Sequence, residues 1–110
     1  MSEELVERVL SVIEQIPPGR VLSYGDVAEL ASAPTPRYVG QVLAWHGDAV
    51  PWWRVLRADG TPAPHLRQRQ LSLLRAEGTP VLPSGEAVDL RRARWAATTP
   101  DPPSQPGLFD

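Results

Sequence analysis

Two helix-start signals crowd the stretch SYGDVAELASAPTPRYVG, residues 23–40, and they constrain this chain more than any other feature. Ser23 can cap a helix, and Asp26 three residues on gives a capping-box-like pair, Asp being shorter than the preferred Glu. That helix is predicted to end near Ser32. Thr35 then caps again, Pro36 suits a first helical turn, and Val39, Val42 and Leu43 form an apolar stripe. Two short helices joined by SAPT predict a helix-turn-helix, or an αα-hairpin with no nucleic-acid role.

The rest of the chain arranges itself around that pair. Residues 2–16 read as an amphipathic helix with Leu5, Val9, Val12, Ile13 and Ile16 at helical spacing, capped by Ser2 and stopped by PPG at 17–19. A last helix is predicted over 66–77, with Leu71 and Leu74 on one face and Gly78 as its C′ residue. PVLPSGEAVDL reads as a small hairpin across SG, and HGDAVPWWRVLRADGTPAP as loop or short strand. From Ala96 the prolines Pro100, Pro102, Pro103 and Pro106 forbid helix and favour a solvated tail. The expectation is a mainly α single domain over 1–95, winged-helix-like with a short β-hairpin, followed by a tail over 96–110.

Charge narrows the function classes. There is no cysteine, which excludes disulfides, thiolate metal sites and a cysteine nucleophile. Two histidines, His46 and His65, are too few for a convincing metal site, and no cofactor is expected. Every basic side chain is arginine, whose planar fork suits phosphate and stacks on bases. The net charge is −2, yet nine arginines fall within residues 37–94 while acids dominate residues 1–30. One face can be basic although the total is acidic. The start MSEELVERVL is acidic and amphipathic, unlike a signal or transit peptide, so a cytoplasmic, nucleoid-associated location is expected, with no membrane partner.

In an otherwise aromatic-poor chain, VPWWRV at 50–55 sets Trp52 and Trp53 side by side. Taken in order, IPPGRVLSYGDVAELA at 16–31, PRYVGQVL at 36–43, VPWWRV, and LLRAEG at 73–78 resemble the DNA-binding domain of O6-alkylguanine-DNA alkyltransferases. In that family the third motif is Pro-Cys-His-Arg, and its cysteine accepts the alkyl group. Here Trp52 stands at the cysteine position and Trp53 at the histidine position. An indole has no ionisable group to serve as the nucleophile, so alkyl transfer is not expected. The chain is similar instead to the alkyltransferase-like branch, whose members bind alkylated DNA without repairing it and are linked to nucleotide excision repair. It departs from that branch's Pro-Trp-His-Arg at Trp53, and it carries GTPAPH in place of the alkyltransferases' Gly-Tyr-containing loop.

The resemblance implies residue roles. Arg37 would fill the space left by a flipped nucleotide, and Tyr24 would press on the neighbouring phosphate to promote rotation. Tyr38 and Gly40 lie in the same recognition helix, which the family inserts in the minor groove; Gly40 is expected to allow close helix approach. Trp52 would wall the pocket for the base. Val55, His65 and Trp53 complete the expected lesion pocket, although Trp53 also reads as packing because neighbours on an extended segment face opposite sides. Arg54 is expected to bond loop carbonyls or an acid such as Glu77.

The tail segment QPGLF resembles bacterial sliding-clamp ligands, with Gln105, Leu108 and Phe109 as its anchors. The leading expectation is a monomeric, non-enzymatic sensor of O6-alkylguanine in double-stranded DNA, with excision-repair proteins and the clamp as further partners. The alternatives are a helix-turn-helix transcription regulator and a clamp-tethered adaptor, neither with lesion specificity.

Overall fold

The computed structural model describes residues 2–96. The QPGLF motif with Gln105, Leu108 and Phe109 lies outside the described residues. Helix α1 spans Glu3–Glu14, β1 Leu22–Ser23, α2 Tyr24–Ala31, α3 Pro36–His46, β2 Val55–Leu56, α4 Arg67–Ala76 and α5 Leu90–Ala93. Three single-turn 3-10 segments fill the connections at Gly47–Ala49, Trp52–Arg54 and Pro64–Leu66.

The first three helices start where the local chemistry dictates. Leu5 N–H donates to Ser2 Oγ at 3.3 Å, opening α1. Ser23 and Asp26 form the full reciprocal box, with both bonds at 3.0 Å, so the shorter carboxylate reaches after all. Ser32 closes α2 in the left-handed region at φ 57°, and Thr35 Oγ1 accepts from Tyr38 N–H at 3.1 Å to open α3. Helices α2 and α3 pack on one another and on α1.

Strands β1 and β2 run parallel, pairing Leu22 with Val55 and Ser23 with Leu56. This short pair divides the interior, because successive strand residues face opposite sides. Leu22 and Val55 join Val9, Ile13, Val27, Val39 and Val42 in the core beneath the first three helices. Val21 and Leu56 face the other way, onto Leu74, Val88 and Ala93. Each fully buried Val, Leu or Ile side chain among these contributes roughly 1.5–3 kcal/mol.

Two sequence expectations change here. The hairpin reduces to a single antiparallel bridge, Val81 with Val88, around a turn closed by Gly85 N–H to Leu82 O at 2.8 Å. The predicted last helix is followed by α5, which the two-residue run Arg91–Arg92 and its brevity conceal in the sequence. The Asp59-Gly60 turn docks on this region. Gly60 has φ +85°, and a Cβ there would lie 2.6 Å from Val88 O, so glycine is required on both counts.

Candidate nucleic-acid interface

The second helix of the helix-turn-helix presents a clean face. Arg37, Gly40, Gln41 and Ala44, one helical stripe, border a shallow apolar groove of about 450 Å³ with Tyr24 and Pro36. Arg37 is exposed and stands in the first turn of α3. Gly40 is not needed for packing inside the fold: a Cβ there would have no neighbour within 4 Å. Its missing side chain instead keeps the groove open to an approaching molecule.

A deeper cavity of about 380 Å³ continues from this groove, sharing Tyr24, Gly40 and Ala44 with it. Trp52 forms one wall; His65, Leu66, Arg69 and Gln70 come from the opposite loop and α4. Of the expected site residues, Tyr24, Gly40, Trp52 and His65 therefore meet around one cavity, with Arg37 on the adjoining groove.

Three expected site residues lie elsewhere. Val55 is 1% exposed, because pairing with Leu22 turns it into the helical core. Trp53 packs on the second core cluster, and its Nε1 donates to Glu77 Oε2 at 2.9 Å. Tyr38 leans onto the first core, with its hydroxyl buried and unpartnered, so its ring is packing on the far side of α3 from Gly40. Trp53 and Tyr38 share a further reason: a residue next to Trp52 or Arg37 rotates away from the site in an extended segment or a helix.

The tryptophan loop is fixed from two directions. Arg54 Nη1 donates to Ile16 O at 2.8 Å and Nη2 to Glu77 Oε2 at 2.6 Å, so it meets both the carbonyl and the acid expected of it. Gly19 N–H also donates to Glu77 Oε1 at 3.3 Å. One carboxylate thus joins the end of the α1 turn, the tryptophan loop and the end of α4. Burial pushes the Glu77 carboxyl up, but hydrogen bonds from Arg54, Trp53 and Gly19 outweigh it and hold the group below its usual range. From the other side, buried Gln70 donates through Nε2 to Trp53 O at 3.0 Å and Val55 O at 2.8 Å.

Gln70 and the neighbouring Arg69 escaped the sequence reading. Arg69 places its guanidinium 5.6 Å from the Trp52 ring centroid, within cation–π range, at the cavity edge. The available signal was Gln70 itself, a polar residue one turn before Leu74 on the apolar face of α4.

The cavity lining combines an aromatic face with hydrogen-bond donors. Burial raises the Tyr24 phenol above its usual value, against a smaller opposing pull from Arg57, so at neutral pH it is a hydrogen-bond donor and not a phenolate. Trp52 offers a π face, while Arg69 and His65 offer donors. Among the described residues no group of three or more His, Asp or Glu side chains is placed to hold a metal.

The fold and cleft define a small helix-turn-helix domain with an aromatic-walled cavity beside its second helix. The chain belongs to one particular family of such domains: residues 4–79 match the 6-O-methylguanine DNA methyltransferase, DNA binding domain. It is 45% identical over 95 residues to a DNA base-flipping protein of Escherichia coli (strain K12), covering 81% of this chain and 72% of that one. It is 35% identical over 98 residues to a DNA base-flipping protein of Vibrio parahaemolyticus serotype O3:K6 (strain AQ3810), covering 84% of this chain and 97% of that one. Among solved structures it is similar to S. pombe Atl1 in complex with damaged DNA containing O6-carboxymethylguanine, at TM-score 0.74 and 28% identity, covering 86% of this chain and 97% of that one. No helix among the described residues is long and apolar enough to cross a membrane.

Proposed function

We propose that this protein recognises O6-alkylguanine in duplex DNA by rotating the modified base into the cavity walled by Trp52, and holds it there without chemistry. The observation that carries this reading is the continuity of two features. A groove bordered by Arg37 and Gly40 runs into a cavity bordered by Trp52 and Arg69, with Tyr24 on both. A helix placed against the minor groove would thus have a base-sized recess immediately beside it.

Each step has a physical source. Rotating a base out of the stack costs a few kcal/mol, less where alkylation has already weakened the pair. Arg37 enters the vacated space and donates to the orphaned partner base. Tyr24, a neutral donor, contacts the adjacent phosphate. Stacking on Trp52 returns roughly 1–3 kcal/mol. Arg69 presses the base from the rim, and His65 offers a donor to a purine acceptor.

In the proposed reading Trp52 stands in the place of the family's cysteine, which removes the alkyl acceptor and leaves a wall. The protein then flags the site for excision repair, acting in the cytoplasm on the nucleoid. We assign binding to residues 1–95 and a tether to 96–110, whose Gln105, Leu108 and Phe109 would dock on the sliding clamp. Unchanged clamp affinity after changing Leu108 and Phe109 to Ala would remove that last assignment. Lesion recognition itself is tested by comparing matched duplexes with and without one O6-methylguanine.

A further inference from the structure

A second groove, sharing no lining residue with the cleft above, lies where α1 passes the end of α3. It has a volume of about 480 Å³ and is bordered by Glu3, Val6, Glu7, Leu10, Trp45 and His46. Val6 and Leu10 pack inward on the core and form its apolar floor. Trp45 is 77% exposed, one of two large apolar side chains left in solvent among the described residues. Nothing in the fold requires an indole there. It lies one helical turn beyond Gln41, at the end of α3, but borders the groove against α1 and not the groove of Arg37, Gly40, Gln41 and Ala44.

Charge decides what this groove takes. Glu3 and Glu7 stand one turn apart on its rim, both exposed, and the ion pairs among the described residues, Arg54–Glu77 and Arg94–Asp26, involve neither. Their fields repel phosphate, so nucleic acid is disfavoured. An exposed tryptophan face attracts a guanidinium or ammonium group, and tryptophan is among the residues that dominate protein–protein binding energy.

We propose that this groove docks a basic segment of another protein, in which Lys or Arg flanks one or two large apolar side chains. The apolar groups fill the floor over Val6 and Leu10. One cation lies on the Trp45 ring and another pairs with Glu3 or Glu7. This groove shares no lining residue with the Arg37 groove or the Trp52 cavity, so the partner has its own site beside an occupied cleft. The proposal stands on the groove alone and holds whether or not the cleft prefers a lesion.

The test is selection of a displayed random 16-residue peptide library on the full chain. Enriched peptides are measured by titration against the parent, Trp45→Ala, and the double variant Glu3→Gln/Glu7→Gln. The expected winners are basic with apolar residues interspersed. Trp45→Ala should weaken them at least about tenfold, as loss of a hot-spot indole does. The double glutamine variant should weaken them about two- to fivefold, with the difference vanishing at high salt. Both variants should keep parental affinity for duplex DNA, which also shows that they are folded. Failure to enrich any peptide, winners that are neutral or acidic, or winners indifferent to Trp45→Ala would each overturn the proposal. Sedimentation velocity adds one more arm: self-association abolished by Trp45→Ala would make the occupant a second copy and overturn the basic partner.

Discussion

The rings of Trp52 and Trp53 meet edge to face, with centroids 5.9 Å apart and planes at 87°. This places two adjacent indoles in different environments. Trp52 borders the cavity, and Trp53 turns to the second core cluster, carrying the Arg54 guanidinium 5.3 Å from its ring centroid. The pair therefore splits into a cavity wall and an anchor for that wall, and the two can be separated by mutation.

Trp52→Ala should weaken binding to a lesion-containing duplex by roughly 1–3 kcal/mol, about five- to 150-fold, through lost base stacking. Thermal stability should change little, since the ring is only partly buried. Fluorescence anisotropy with a labelled duplex, alongside a thermal melt, reads both quantities.

Trp53→Phe should show the opposite pattern. The ring's packing is largely kept, but Glu77 loses the 2.9 Å bond from Nε1, a cost of about 1.5–3 kcal/mol for a hydrogen bond to a charged group. Denaturant unfolding should record that loss while DNA affinity falls much less than in Trp52→Ala.

Gly40→Leu should separate folding from binding in the other direction. Its Cβ would meet open space, and leucine is the better helix former, so stability should rise by up to about 1 kcal/mol. The added side chain would occupy the groove beside Arg37, and duplex affinity should fall at least about tenfold. A variant that is more stable and binds normally would show that the groove is not where DNA lies.

Glu77 supplies a pH prediction. Its folded carboxyl titrates below the usual value near 4.5, so the ionised form is favoured by folding. That contribution is fully present above about pH 4.5 and is lost as pH falls through the lower folded value. Glu77→Gln should flatten stability across that acid window, and at neutral pH should cost about 2–4 kcal/mol by stranding Arg54. Urea unfolding between acid and neutral pH measures both.

Where sequence reading succeeded and where it stopped follows from the range of the interactions involved. The caps at Ser2, Ser23 and Thr35 act over three residues, so the helix-turn-helix was legible directly. The motif order alone points to Tyr24, Arg37 and Trp52, which the structure places on one groove and its adjoining cavity. Val55 was misplaced because its direction is set by pairing with Leu22, a partner far away in the chain. Gln70 shows in the sequence only as a polar residue on an apolar face, and Arg69 not at all, because their roles depend on how α4 docks under the tryptophan loop. Arg54 was foreseen, since a partly buried guanidinium beside a loop has few partners besides carbonyls and an acid.

Arg37→Ala tests the step between groove and cavity. It should weaken lesion binding about tenfold and reduce extrusion of the base, read as 2-aminopurine fluorescence at the flipped position. Normal fluorescence enhancement in this variant would show that Arg37 does not fill the vacated space.

The most direct measurement is equilibrium binding of the full chain to two duplexes differing only by one O6-methylguanine in place of guanine. Lesion recognition requires affinity for the modified duplex at least about tenfold higher, with Trp52→Ala narrowing the difference. Equal affinity for the two duplexes would contradict it.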